Sequence, residues 1–178
     1  MKTKYDNTPA RICSIRNMDI SNGESIGISI FMGFCPIRCK GCFNSELWSP
    51  DVGEIYTQEH EDKIIELLSQ NFLRRISILG GCPFVYRNYD VLLHLVKRVK
   101  ETYPDKKIWM YSGQYFEDLK ESKWIEVLKY IDVLCDGPYE EDKRDPNLHW
   151  VGSTNQRVID IEDTLADVNG CIHEHATK

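Results

Sequence analysis

Three of the seven cysteines fall within eight residues, in the run Gly33-Phe-Cys35-Pro-Ile-Arg-Cys39-Lys-Gly-Cys42-Phe-Asn44. This Cys-x3-Cys-x2-Cys spacing is short enough to wrap one compact inorganic cluster, and thiolate sulfur is the ligand that cluster iron takes. A 4Fe-4S cluster has four irons, so Cys35, Cys39 and Cys42 would leave one open to an exogenous ligand, as catalytic metals keep an open position. An open iron points to catalysis over electron storage. The alternative is a zinc knot, with Cys82, Cys171, His173 or His175 as fourth ligand. The tract Cys171-Ile-His173-Glu-His175 could also bind a metal by itself, although such terminal runs are more often solvated tails.

The composition agrees with metal over disulfides. Seven cysteines is an odd number, and no apolar run of signal-peptide length opens the chain, so a reducing cytoplasmic setting is expected. With 178 residues, 42% hydrophobic and 28% charged, the chain suits one folded domain spanning 1–178. Lysine and arginine number 22 against 28 acidic residues, and the net charge of -6 would repel a phosphate backbone, which argues against nucleic acid. No stretch approaches the roughly 20 apolar residues of a membrane span.

The elements that must position the cysteines follow from periodicity. Residues 28–32 alternate and break at Gly33, so the cysteine loop leaves a strand end. Ile64, Leu67, Leu68 and Phe72 repeat at helical spacing after the acidic opening Glu59, Glu61 and Asp62. A strand over 76–79 ends at Gly80-Gly81. Leu92, Leu95, Val96 and Val99 mark a second helix, stopped before Pro104. A strand over 107–111 ends in Ser112-Gly113, a helix covers 124–129, and a strand over 131–135 ends in Asp136-Gly137-Pro138. Repeated strand–helix units imply an α/β fold with a mostly parallel sheet, whose ligands collect at the carboxyl ends of the strands. The cysteine loop and the glycine turns should converge on that rim. Beyond it, 140–145 reads as a charged loop, 158–161 as a last short strand and 169–178 as a frayed polar tail.

Cys-x3-Cys-x2-Cys followed by an aromatic residue resembles the signature of radical S-adenosylmethionine enzymes. The resemblance implies a shortened, partial (β/α) barrel and a 4Fe-4S cluster whose free iron chelates the amino and carboxylate groups of S-adenosyl-L-methionine. It also implies reductive cleavage to a 5'-deoxyadenosyl radical, with Gly41, Cys42 and Phe43 bordering the cosubstrate. Gly80-Gly81-Cys82-Pro83 resembles the segment that holds the methionine ammonium group in that family. Cysteine stands here where an acidic residue is usual, and losing a charged hydrogen bond costs roughly 1.5 to 3 kcal/mol. Cys82 is then either an extra cluster or redox ligand or a small buried filler.

Further runs narrow the resemblance: Asp19-Ile-Ser-Asn22-Gly23-Glu24, Trp109-Met-Tyr111-Ser112-Gly113, Asp136-Gly137-Pro-Tyr, Arg144-Asp-Pro-Asn-Leu and Gly152-Ser153-Thr-Asn155-Gln156-Arg157. In this order, over about 11–161, they are similar to the activating proteins of anaerobic ribonucleoside-triphosphate reductase. The implied partners are the large reductase subunit, on which a glycyl radical forms, and a reduced flavodoxin or ferredoxin-like electron donor. Activases of other glycyl radical enzymes, such as pyruvate formate-lyase, are the near alternative; a zinc-stabilised adaptor and an iron-sulfur carrier are the distant ones. Because the cosubstrate fragment abstracts the hydrogen, no catalytic acid or base is expected, and His60, His94 and His149 read as structural or surface residues. Asn155, Gln156 and Arg157 are open to three roles: holding adenosine, tying down a strand edge or meeting the reductase.

Overall fold

The computed structural model describes residues 2–176. Strand β1, Arg11–Asp19, pairs antiparallel with β2, Gly27–Met32, and on its other side with the two-residue β3, Glu54–Ile55. Helix α1, Gln58–Leu68, follows a capping box in which Thr57 and His60 satisfy each other's backbone N–H groups. Then come β4, Arg75–Gly80; α2, Tyr89–Thr102; β5, Lys107–Tyr111; the short helices α3, Phe116–Lys120, and α4, Ile125–Leu128; and β6, Val133–Asp136. The antiparallel β7, Arg157–Asp160, runs into α5, Ile161–Ala166.

The seven strands form one sheet in the order β3-β1-β2-β4-β5-β6-β7. Its four central strands are parallel, as the repeated strand–helix units require, and the flanking strands are antiparallel, so the sheet is mixed. Residues alternate across it. Ile28, Ile30, Ile76, Ile78, Ile108, Met110 and Leu134 face one side and pack with Ile64, Leu68, Leu92, Leu95, Val96 and Val99 of the helices. At roughly 1.5–3 kcal/mol for each fully buried aliphatic side chain, that layer is the main source of stability.

The opposite face is covered mainly by connecting segments. Phe31 and Leu79 pack with Leu47, while Trp109, Val133 and Cys135 pack against Trp150 and Val151. At the amino end of β4 this face carries a buried polar network. The Arg75 guanidinium bonds the Asp19 carboxylate at 3.0 Å, the Glu24 carbonyl at 3.0 Å and the Ser77 hydroxyl at 2.6 Å. Burial raises the Asp19 pKa, but Arg75 and the backbone N–H groups of Asn22 and Ser21 outweigh it, holding the carboxyl below its ordinary value.

Several boundaries differ from those expected. Strand β6 begins at Val133 because Asp132 turns aside to accept hydrogen bonds from Lys100, Lys107 and the Ile108 N–H. Helix α1 stops at Leu68, leaving Phe72 half-exposed in the following loop. The 169–178 tail is not frayed over its described part: Asp160 N–H donates to the His173 carbonyl and His175 N–H to the Val158 carbonyl, extending the sheet edge by a short antiparallel bridge. The His175 ring lies 5.2 Å from Trp109, and residues 177–178 lie outside the described residues.

Candidate functional site

The cysteine loop leaves the carboxyl end of β2 and is pinned where it begins and ends. Arg87 donates to the Gly33 carbonyl at 3.0 Å and the Pro50 carbonyl at 2.7 Å, and its guanidinium lies 4.7 Å from the Phe34 ring centroid. Phe34 N–H donates to the Leu47 carbonyl at 2.8 Å. Within these ties the backbone takes left-handed values at Phe34, φ 79°, and Arg38, φ 54°. Such values cost a non-glycine residue of the order of 1–3 kcal/mol and persist only where surrounding contacts over-determine them. Nothing in the local sequence marks Arg87 as the staple, since it lies more than thirty residues from the carbonyls it holds.

The segment after β4 forms the second wall. Gly81 N–H donates to the Met32 carbonyl and Cys82 N–H to the Phe34 carbonyl, each at 2.8 Å, so the two loops run side by side. Gly80 has φ 110°, and a Cβ on Gly81 would stand 2.3 Å from the Phe34 carbonyl oxygen. Glycine is therefore required at both positions for the backbones to approach. Buried Asn88 supports this segment from beneath, donating to the Pro83 carbonyl at 3.1 Å.

Between the walls lies an open cleft of about 140 Å³. Cys35, Cys39, Cys42, Gly80, Gly81 and Cys82 line it, joined by Tyr111, Ser112, Gly113, Gly137, Tyr139 and Gln156 from the ends of the next strands. Gly41 and Phe43 are not among the lining residues. Gly41 packs toward Glu141 and Tyr139, while Phe43 is 76% exposed, 6.4 Å from the Tyr139 ring. Ile37, Asn44 and Leu79 complete the lining and went unnoticed in the sequence, where apolar and amide side chains beside a motif carry no mark of their own.

Burial raises the pKa of Cys35 and Cys39. Backbone N–H groups of Ile37 and Arg38 at Cys35, and of Tyr139 at Cys39, act in the opposite direction by favouring the thiolate. Among the described residues no three His, Cys, Asp or Glu side chains are arranged to hold a metal ion. The three loop thiols line one cleft, with Cys39 and Cys42 within electrostatic reach of Cys35. That suits a polynuclear group that takes each thiolate on a different metal atom, with N–H donors already aimed at two of the sulfurs.

Asn155, Gln156 and Arg157 tie down the strand edge. Gln156 donates to the Gly137 carbonyl at 3.0 Å and accepts from the N–H groups of Gly152 and Ser153, and Asn155 donates to the Pro138 carbonyl at 2.8 Å. Arg157 bonds buried Asp136 and exposed Glu117, contacts that raise the Arg157 pKa further. Gln156 also reaches the cleft.

The remaining candidates lie elsewhere. His60 caps α1, His94 bonds Glu61 at 2.9 Å, and His149 packs near Trp150. Cys171 is exposed, His173 bonds Asp167 at 2.8 Å and His175 lies between Trp109, Glu24 and Asp160, so none of the three reaches the cleft. No described helix is long and apolar enough to cross a membrane.

A family model described as a 4Fe-4S single cluster domain matches residues 21–159. The chain is 42% identical over 143 residues to the anaerobic ribonucleoside-triphosphate reductase-activating protein of Vibrio cholerae, covering 79% of this chain and 92% of that protein. It is 36% identical over 143 residues to the protein of that name from Escherichia coli K12, covering 79% and 92%, and 34% identical over 140 residues to that of Enterobacteria phage T4, covering 79% and 87%. With the cysteine cleft and its glycine walls, these similarities place the chain in the family of anaerobic ribonucleoside-triphosphate reductase-activating proteins.

Proposed function

We propose that this chain is a radical S-adenosylmethionine enzyme that generates a glycyl radical on the large subunit of anaerobic ribonucleoside-triphosphate reductase. The observation that carries the reading is the convergence of three loop cysteines and the glycine turns after β4, β5 and β6 on one cleft. Cys35, Cys39 and Cys42 would hold a 4Fe-4S cluster and leave it one open position for S-adenosyl-L-methionine. When bound, the reduced cluster supplies the electron that divides the cosubstrate into methionine and a 5'-deoxyadenosyl radical, which takes a hydrogen atom from the target glycine.

The chain's own work is geometric. Gly80 and Gly81 admit backbone close to the cosubstrate, while Cys42 borders it on the loop side and Gly41 and Phe43, outside the cleft lining, do not. Buried Leu79 and the Tyr111 side chain present apolar surface that keeps water from the reacting atoms. Gln156 fixes the Gly137 turn, and no acid or base is assigned. The cleft then sits at the top of a partial (β/α) barrel within a single domain. A reduced flavodoxin or ferredoxin-like protein supplies the electron.

Electron paramagnetic resonance of the anaerobically reconstituted, reduced protein tests this, recorded with and without S-adenosylmethionine. A cluster signal that changes on addition is expected, followed by a glycyl radical when the reductase subunit is present. A cluster indifferent to the cosubstrate would sink the mechanism. Cys39→Ala and Cys42→Ala should lose bound iron, with the stability of the cluster-free protein changed by no more than about 0.5 kcal/mol, since neither side chain is part of the core.

A further inference from the structure

We propose that Cys82 is a fourth, exchangeable thiolate ligand, standing on the open iron until the cosubstrate displaces it; this rests on the cluster assignment to Cys35, Cys39 and Cys42. Cys82 lines the same cleft as the three loop cysteines and lies within electrostatic reach of Cys35. Its own N–H is bonded to the cysteine loop through the Phe34 carbonyl, so the two segments move as one.

The surroundings of its sulfur point to a ligand's role. The Gln114 amide nitrogen stands 4.0 Å from Sγ, and although burial raises the Cys82 pKa, the backbone at Gly113 and Phe84 favours the thiolate. A second hydrogen bond, to the Phe84 carbonyl at 3.0 Å, fixes that amide. A neutral thiol accepts hydrogen bonds weakly, whereas a metal-bound sulfur carries negative charge and is tuned by such donors. Cys135 is as deeply buried and lies beside Tyr111 instead of an amide donor. An amide donor fixed beside the sulfur is thus a property of the Cys82 position, and burial alone does not produce it.

Ligation forms one iron–sulfur bond and releases the thiol proton to solvent, with no change in oxidation state. Displacement by the amino and carboxylate groups of the cosubstrate breaks that bond, and the thiolate takes a proton back. Without cosubstrate, the cluster is capped and its fourth iron is retained.

The test compares anaerobically reconstituted native protein with Cys82→Ala after brief ferricyanide oxidation, using electron paramagnetic resonance to detect the three-iron cluster left when an open iron departs. The native protein is expected to convert several-fold more slowly than the variant. Equal conversion would overturn the role of Cys82 while leaving the three-cysteine cluster intact; no cluster in either protein would overturn both readings. Mössbauer spectra of the native protein loaded with iron-57 need no variant. Alike irons without S-adenosylmethionine and one distinct iron with it are expected, and a distinct iron present from the start would overturn the proposal.

Discussion

Arg157 and Asp136 are register partners across the antiparallel β6–β7 pair, the arginine Nε on one carboxylate oxygen at 3.0 Å and its Nη2 on the other. The carboxylate is fully buried, and its second oxygen also accepts the Phe116 N–H at 2.7 Å. Removing the guanidinium strands a charge away from water. Arg157→Met should therefore lose about 3–5 kcal/mol, and thermal unfolding should show it, since each kcal/mol is worth roughly 2–4 °C in a chain of this size. A shift of under a degree would show that Asp136 finds other compensation.

Gly81→Ala places a methyl group where the Phe34 carbonyl already stands. Forcing the loops apart should cost about 1–3 kcal/mol and, by parting the two walls of the cleft, reduce iron bound per chain after reconstitution. Urea unfolding and iron analysis on the same preparation check both parts.

Arg87→Met keeps much of the side-chain volume and removes both ties to the cysteine loop. The buried Gly33 carbonyl and the half-buried Pro50 carbonyl lose a charged donor, a loss of about 1–3 kcal/mol for a buried group left unsatisfied. Hydrogen exchange should rise in residues 33–50 and stay unchanged in β5. Uniform protection across the loop would remove Arg87 from its role as the staple.

The Asp19 carboxyl has a folded pKa below its unfolded value, so its contribution is fully present above the ordinary carboxylate range and disappears as pH falls through the folded value. Acid titration of stability should accordingly be shallower in Asp19→Asn than in the native protein below about pH 4. Parallel curves for the two proteins would assign the acid sensitivity to other carboxylates.

The central sheet was legible because its strands are nearly continuous apolar runs, each closed by glycine. Residues 76–79 are buried throughout, as strands covered on both faces must be. Strand β1 gave no comparable signal: Arg11, Ser14, Arg16 and Asn17 break its apolar pattern, and most of the strand is not buried. The tail misled for a related reason, since the His173 and His175 backbone groups make the sheet contacts and composition says nothing about them. At the site, cysteine and glycine spacing announced the cleft. The left-handed turn at Phe34 and the Arg87 ties depend on tertiary packing, which overrides local preference. The Asn155-Gln156-Arg157 run was recognisable as a motif, but its work on the β6 turn needed the contacts themselves.

On the sheet face away from the long helices, Ser77, Trp109 and Cys135 are buried, and the Arg75 network fills the amino end of β4. The cleft lies at the opposite, carboxyl ends of the strands, where the loops leave it open. If a large partner docks over that opening, a small molecule that reacts at the cysteines enters before it and leaves after it. Traffic is thus ordered by shape alone: the small ligand is first in and last out, and excess partner should slow exchange of S-adenosylmethionine in a pulse-chase experiment.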